Sequence, residues 1–445
     1  MATVETNAAL EADPIQELSD WLENNWNPDL TVAEWWERLG LSGWSAPMLP
    51  PDRYGRGLSR RDALRATRAI AAFGALAPPG GLGLGLAAPT IATHGTSEQV
   101  ERYVRDIVTG QRAWCQLFSE PGAGSDLAGL NTRAVRDGDM WVVNGQKVWT
   151  SGGHMADLGM LLARTNPEAP KHQGITWFAL DMHQPGVEVR PLRQMTGGAN
   201  FNEVFFTDAV VSDEARIGDL NNGWTVANTT LHFERSGMGA GGDGPQGRGF
   251  SAAPGTVVGH LDRRVGDFVR RSRPAAEAPP VEPESRRPSP AASHIELARS
   301  FGKDRDPAIR QGLARLHTLR ELSRMNTERH RAALASGSDI RGIANFSKLL
   351  MADIVRLARD LGLQIVGTRG TLHAYRDEDR DVVLKQAGGE AAAAATAQAL
   401  GAQALPIFGG TDQIQRNIIG ERALGLPKEP GDLSAVPFNQ LPRNG

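Results

Sequence analysis

A chain of 445 residues exceeds one ordinary core, so two or three domains, or one large multilayer unit, are expected. Its 48 basic residues nearly balance 51 acidic ones, leaving no broad field to draw nucleic acid or an anionic membrane surface. Cys115 is the only cysteine, which excludes an intramolecular disulfide and a cysteine-built metal cage and fits a reducing cytoplasm.

The N-terminal stretch MATVETNAALEADP is acidic and has neither the basic start nor the apolar core of a secretion signal, so export is not expected. From Asp13 to Arg112, apolar residues recur at three- and four-residue spacing in QELSDWLENNW, SRRDALRATRAIAAFGAL and SEQVERYVRDIVTG, the pattern of helices. Five of the ten tryptophans fall between Trp21 and Trp44, where they are expected to anchor helix packing. The uncharged stretch Phe73 to Ala92 is long enough to cross a bilayer, but three prolines and five glycines spoil a continuous helix, so it reads as a buried turn between helices. Gly83, Gly85 and Ala88 within it form a loose GxGxxA, but a proline-rich approach stands where a dinucleotide-binding turn needs a strand.

From Ala113 to Ile217 the period moves towards two. RAVRDGDMWVVNGQKVWTS holds two turn signals, Asp137-Gly138 and Asn144-Gly145, between alternating residues. LGMLLAR, ITWFALDM, VEVRPL and NEVFFTDAVV supply further strands, and an antiparallel β domain is expected. Beyond Asn221, WTVANTTLHFER, PAIRQGLARLHTLRELSRMNTERHRAALA and SKLLMADIVRLARDLGLQIVG return to the helical period. Gly237 to Ala292, rich in Gly, Pro, Arg and Ala, is expected to be mostly a weakly ordered surface excursion; its basic run DRRVGDFVRRSRP is read as a solvated flap, with a nucleotide-phosphate contact as the alternative. A second excursion is expected after Leu372, though the alanines of GGEAAAAATAQALGAQAL favour helix. The expected domains are an N-terminal helical one over 1–112, a middle β one over 113–220, and a C-terminal helical one over 221–430 carrying an insertion near 237–292, with a tail over 431–445.

Four strings carry the chemistry: SEPGAGSDLAG (Ser119 to Gly129), KVWTSGG ending at Gly153, QIVGTRG ending at Gly370, and FGGTDQIQRNIIGERALGLP (Phe408 to Pro427). Together they resemble the acyl-CoA dehydrogenase family, flavoproteins that remove hydrogen from the α and β carbons of a thioester. The resemblance runs from about Gly83 to Pro430, and the order helices, β domain, helices is that of the family's α+β fold. It implies FAD, an acyl-CoA or acyl-carrier thioester as substrate, and an electron-transfer flavoprotein as acceptor. It further implies a homodimer or homotetramer, with a heterotetramer as the alternative, since the family's flavin lies at a subunit interface.

In the family the first string is the flavin loop, where small residues let backbone amides approach the cofactor and hydroxyls bind its polar edges. The resemblance assigns Leu117, Ser119, Gly124 and Ser125 to cofactor binding; Ser119 stands where a threonine usually bonds the flavin ring and Ser125 where a serine meets the pyrophosphate. Trp149 corresponds to the tryptophan packed on the flavin and Ser151 to the hydroxyl near N5. Gln364, Gly367 and Gly370 match the run that reaches a neighbouring subunit's FAD, while Thr411 and Gln413 return to the ribityl and phosphate region. Arg299 matches a diphosphate contact, although one residue rather than two separates it from Phe301. Ser125, Phe233, Arg235 and Gly410 fall at positions implied to line the thioester.

The family departure lies in the last string. Most members carry a catalytic glutamate two residues before the threonine, whereas here Gly409, Gly410 and Thr411 follow one another. A glycine cannot take the α proton, but its N–H can still bond the thioester carbonyl. LHFERSG offers Glu234 immediately before Arg235, the position from which isovaleryl-CoA and long-chain acyl-CoA dehydrogenases supply their base. The resemblance therefore implies Glu234 as base and Gly409 as carbonyl donor. The competing expectations are a non-catalytic FAD-binding partner subunit of a hetero-oligomer, for which a lost base is expected, and a flavin oxidase or monooxygenase on the same fold.

Overall fold

The computed structural model describes residues 13–238, 255–269, 290–336, 338, 340–428, 433 and 435–442. The chain forms two compact units, one from Met1–Arg190, Asn202–Ala278 and Ser434–Gly445, the other from Pro191–Phe201 and Pro279–Leu433.

The first unit opens with helices α1 (Pro14–Asn25), α2 (Val32–Leu41) and α3 (Arg60–Phe73). Their starts are written locally: Asp13 caps α1 ahead of Pro14, Thr31 and Glu34 form a capping box on α2, and Ser59 caps α3. Trp35, Trp36 and Trp44 are buried as expected of packing anchors. The indole N–H groups of Trp35 and Trp36 donate to the carbonyls of Leu76 and Ala77 at 2.8 and 2.9 Å, satisfying buried donors while pinning the chain beyond α3. The glycine-rich stretch then makes a π-helical turn (Gly83–Ala87) running into α4 (Ala88–His94), so the GxGxxA pattern is helix, with no strand before it among the described residues. Helices α5 (Ser97–Gln99) and α6 (Arg105–Val108) follow, joined through a π-helical turn at Val100–Val104. Among the described residues no helix is long and apolar enough to cross a membrane.

The sheet comprises β1 (Trp114–Leu117), β2 (Arg133–Asp137), β3 (Met140–Ser151), β4 (Leu158–Arg164), β5 (Ile175–Asp181), β6 (Val187–Leu192), β7 (Phe201–Ser212) and β8 (Arg216–Ile217). Their order is β6-β7-β3-β2-β4-β5-β8, with β1 on β4. It is mixed rather than purely antiparallel, because β1 runs parallel to β4 along its whole length and β2 parallel to β4 at Arg133 and Arg164. Every residue of β4 is buried, which explains the unbroken apolar run LGMLLAR at the centre. Asp137-Gly138 is the hairpin turn between β2 and β3, but Asn144-Gly145 lies within β3. There the glycine serves a close approach: a Cβ at 145 would fall 2.5 Å from the Thr132 hydroxyl. Helix α7 (Gly223–Met238) leaves the sheet through Val226 and Ala227, both in its core.

One expectation is corrected here. Residues 239–254 and 270–289 of the anticipated excursion lie outside the described residues, but 255–269 is a docked segment. Val32 and Ala33 at the start of α2 donate their N–H groups to the carbonyls of Arg263 and Leu261 at 2.8 and 2.9 Å, and Val265 is fully buried against the tryptophan cluster. Those first-turn amides of a helix need acceptors, and this segment brings them. Arg264 pairs with Asp29 and the Arg263 guanidinium lies over the Phe268 ring, so the two arginines of the anticipated flap that fall among the described residues are engaged within the fold.

The second unit contains α8 (Pro290–Ser300), α9 (Pro307–Ala335), α10 (Ile343–Val366), α11 (Arg380–Ala387), α12 (Glu390–Gly401) and α13 (Asp412–Ile418). Its core includes Leu297, Leu316, Leu361, Ile365, Ala387 and Ala392. The stretch after Leu372 is thus no excursion: Ala387 of α11 and Ala392 and Ala395 of α12 are part of that core, small enough to let helices approach closely.

Candidate active and cofactor site

In the first unit, β1 ends at Leu117 and delivers the chain into the Ser119–Gly129 loop. The Leu117 side chain is fully buried, so it can offer a ligand only backbone. Ser119 is half-buried and Ser125 exposed; Gly122 and Gly124 are exposed too, and a Cβ on either would meet no atom within 4 Å, leaving an open cradle of small residues. The loop is pinned at its root by Glu120, whose carboxylate accepts from the N–H of Asn131 at 2.7 Å and of Thr132 at 2.9 Å. Lys147 of β3, wholly buried, donates to Glu120 at 2.8 Å and to the Phe118 carbonyl at 2.9 Å. Burial would raise the Glu120 carboxyl, but the Lys147 charge and these hydrogen bonds outweigh it and hold the carboxyl below its ordinary value.

The same residues support the second motif. Val148 donates its N–H to the Ser119 carbonyl at 2.9 Å, and Trp149 follows with φ 62°, a left-handed conformation that a bulky aromatic rarely adopts. Trp149 is 58% exposed, so its strained backbone presents a ring face instead of burying it. Ser151 beside it is exposed.

On α7, Glu234 is half-buried and its Oε2 accepts from Gln116 Nε2 of β1 at 3.3 Å, three residues before Ser119. Phe233 is half-buried and packs on the sheet core. Arg235 belongs to α7, but its side chain lies outside the described residues. The first unit thus brings together Glu234, Gln116, β1 and the root of the flavin-like loop.

In the second unit, Gly409 and Gly410 both have positive φ, 63° and 83°. Gln415 bridges their carbonyls, donating at 2.9 and 3.3 Å, and is itself held by Asn345 of α10 at 2.6 Å. The Gly409 N–H makes no hydrogen bond among the described residues. Thr411 caps α13, accepting from the Ile414 N–H at 3.2 Å, and Gln413 is exposed on its first turn. Asp412 is 3% exposed and paired with Arg356 and, at 3.4 Å, with Lys348. Burial would raise its carboxyl; the two cations hold it low instead, as a structural ion pair that joins α13 to the middle of α10.

Gln364, Gly367 and Gly370 sit at the far end of α10. The eight residues from Arg356 to Gln364 separate them from the α13 cap by roughly 12 Å of helix. Gly367 ends α10 with φ 63°, and the Gln364 carbonyl accepts from Lys303 at 2.7 Å. Arg299 is exposed on the last turn of α8. Lys303, four residues later, is the cation that reaches this helix end; as a lone lysine after RSFG it carries no motif signal. Glu120, Lys147 and Gln116 were equally unmarked as site residues.

Regions of the chain match the acyl-CoA dehydrogenase N-terminal domain over residues 2–111, the middle domain over 115–209 and the C-terminal domain over 290–424. Acyl-CoA dehydrogenase FadE34 of Mycobacterium tuberculosis is 38% identical over 391 residues, 88% of this chain, which spans only 46% of that relative's length. Acyl-CoA dehydrogenase IpdE1 of the same organism is 34% identical over 397 residues, covering 89% of this chain and 88% of the relative. Among solved structures, the ChsE4-ChsE5 complex from Mycobacterium tuberculosis superposes with a TM-score of 0.61 at 25% identity, covering 96% of this chain and all of that one. The Tcur3481-Tcur3483 steroid ACAD, at TM-score 0.65 and 24% identity over 94% of this chain and 97% of that one, shares the fold.

The fold and these matches define a protein built on the three acyl-CoA dehydrogenase domains. The chain belongs to the acyl-CoA dehydrogenase family, whose members are FAD-dependent.

Proposed function

We propose that the chain is an FAD-dependent acyl-CoA dehydrogenase whose base is Glu234 rather than a residue of the C-terminal motif. The observation that carries this reading is the half-buried Glu234 carboxylate held against β1 by Gln116, while position 409 has no side chain to offer. The open loop at Gly122 and Gly124, the hydroxyls of Ser119, Ser125 and Ser151, and the presented face of Trp149 fit an isoalloxazine and its pyrophosphate. When bound, FAD supplies the hydride acceptor for the β carbon.

The residues of this chain do the rest. Glu234 takes the α proton onto a carboxylate oxygen, and Gln116 fixes which way that carboxylate faces. The Gly409 N–H donates to the thioester carbonyl and stabilises the negative charge that develops there as the α C–H breaks. Base and carbonyl donor, supplied at one position in most of the family, are in this proposal assigned to two different residues. Gln364, Gly367, Gly370 and Lys303 form a separate cluster suited to a dinucleotide brought by another subunit, with Lys303 in the role that Arg299 was expected to hold.

An anaerobic titration of FAD-loaded protein with a panel of acyl thioesters tests this. Flavin bleaching by at least one of them in the parent, reduced about a thousandfold in rate by Glu234→Gln, is the expected result. Bleaching unaffected by Glu234→Gln sinks the assignment of the base.

The second reading, a partner subunit that binds FAD without turnover, is favoured by one finding: the ChsE4-ChsE5 structure is by its title a complex of two proteins. A parent whose bound FAD never bleaches unless a second chain is present supports that reading. The steroid ACAD title of the other solved structure makes polycyclic acyl thioesters worth including in the panel.

A further inference from the structure

Arg164, the last residue of β4, is buried at 4% exposure, yet among the described residues no carboxylate bonds its guanidinium. Its terminal nitrogens bond backbone: Nη1 bonds the Lys171 carbonyl at 2.7 Å, and Nη2 bonds the Ala128 carbonyl at 2.6 Å and the Leu130 carbonyl at 3.4 Å. Ala128 and Leu130 close the loop that begins at Ser119. Lys171 reaches the same loop through its ammonium, which bonds Asp126 at 2.8 Å. Arg164 and the short segment after it therefore hold the far end of the loop at Ala128 and Leu130, just before the Asn131 and Thr132 amides that Glu120 binds.

The face of that guanidinium is covered from elsewhere in the chain. The Phe438 ring lies 3.8 Å from Arg164 Cζ, a cation–π contact in a largely desolvated setting. Backbone bonds fix the ring there: Phe438 N–H to the Ala169 carbonyl and Asn439 N–H to the Pro167 carbonyl, both 2.9 Å, with Pro437 bridging antiparallel to Pro170. Residues 435–442 thus lay a strap along 167–170. They lie beyond 424, where the match to the family's C-terminal domain ends.

We infer that residues 435–442 are an intramolecular strap in which Phe438, acting through Arg164, positions the 119–130 loop for the pyrophosphate of a dinucleotide. Covering the guanidinium keeps water from competing for the Ala128 and Leu130 carbonyls, so those bonds hold the loop in one shape. With the strap off, the loop samples more shapes and part of the binding energy is spent on ordering it. The inference rests on the reading that this loop holds FAD, but the loop's own order can be measured without any flavin.

The experiment uses the full chain, with Phe438→Ala, Phe438→Leu and Phe438→Tyr. Hydrogen exchange of residues 121–130 is followed in flavin-free protein, and FAD affinity is titrated alongside a global unfolding midpoint. Phe438→Ala and Phe438→Leu are expected to speed exchange in 121–130 about tenfold and to weaken FAD about fivefold, while Phe438→Tyr, which keeps the ring face, stays within about twofold of the parent. A merely structural phenylalanine would lower the midpoint and speed exchange throughout the sheet without singling out this loop, and that result overturns the inference. Parent-like exchange in Phe438→Leu overturns it as well and covers the case in which the alanine variant fails to fold. If the parent takes up no FAD, the cofactor reading fails, and loop-specific exchange still decides for or against the strap.

Discussion

Replacing Lys147 with Met tests how the 119–129 loop is held at its root. The substitution keeps the length of the stem and removes the ammonium from a position with no solvent exposure, leaving Glu120 at 7% side-chain exposure without its cation. Glu120 keeps the N–H bonds from Asn131 and Thr132, but the Phe118 carbonyl loses its donor. Breaking a buried pair from one side costs about 3–5 kcal/mol, whereas neutralising both sides with Glu120→Gln and Lys147→Met together should cost less than about 2 kcal/mol. The pH dependence has a definite sign. In the parent, Glu120 is held below its ordinary value of 4.5, so its stabilising contribution is complete above that pH and is lost as pH falls through the folded value. In Lys147→Met the burial penalty is unopposed by the cation, the carboxyl moves up, and the charged form becomes the costly one. The stability gap between parent and variant should therefore widen from about pH 4 to about pH 7. All ten tryptophans lie in the first unit, so their fluorescence during urea unfolding reports this unit alone. A variant as stable as the parent at neutral pH, or a double variant as unstable as the single one, would refute the argument.

Trp149→Gly relieves a left-handed aromatic backbone and gives up a ring that is mostly exposed, so the unfolding midpoint should stay level or rise slightly while FAD affinity drops about tenfold. A stability loss above about 2 kcal/mol would instead make Trp149 a packing residue. Gly409→Glu, added to Glu234→Gln, restores a carboxylate at the position most family members use, but at φ 63° an L side chain costs roughly 1–2 kcal/mol. Flavin bleaching should stay at the level of Glu234→Gln alone; recovery to about a tenth of the parent rate would show that the turn tolerates the side chain.

The caps and helical spacing of α2 and α3 could be read from sequence because Thr31, Glu34 and Ser59 act within one turn of themselves. The parallel run of β1 on β4 could not, since it depends on a pairing some 44 residues away that leaves no local trace. The docking of 255–269 failed to show for the same reason: its partners are amides at the start of α2, more than 220 residues upstream. Asn144-Gly145 misled in a different way, because a glycine needed for a close approach to Thr132 looks like a turn when only its neighbours are visible. Lys147 was visible in principle. It falls in phase with buried Trp141 and Val143 along β3, and a charge on the buried phase of a strand asks for a partner.

Position 409 shows where composition stops and conformation begins. Its sequence declares a missing carboxylate, and nothing more. The structure adds that Gly409 and Gly410 are both left-handed and that Gln415, held by Asn345, fastens their carbonyls. A turn arranged in that way disfavours any side chain at 409 while leaving its N–H without an internal partner among the described residues. On the reading proposed above, the absent base and the carbonyl donor at 409 would then share one backbone geometry. On that proposal a base must be supplied elsewhere if the chain is to turn over a thioester, and the residue proposed for it is Glu234, whose carboxylate is bonded by Gln116 on the strand that leads into the 119–129 loop.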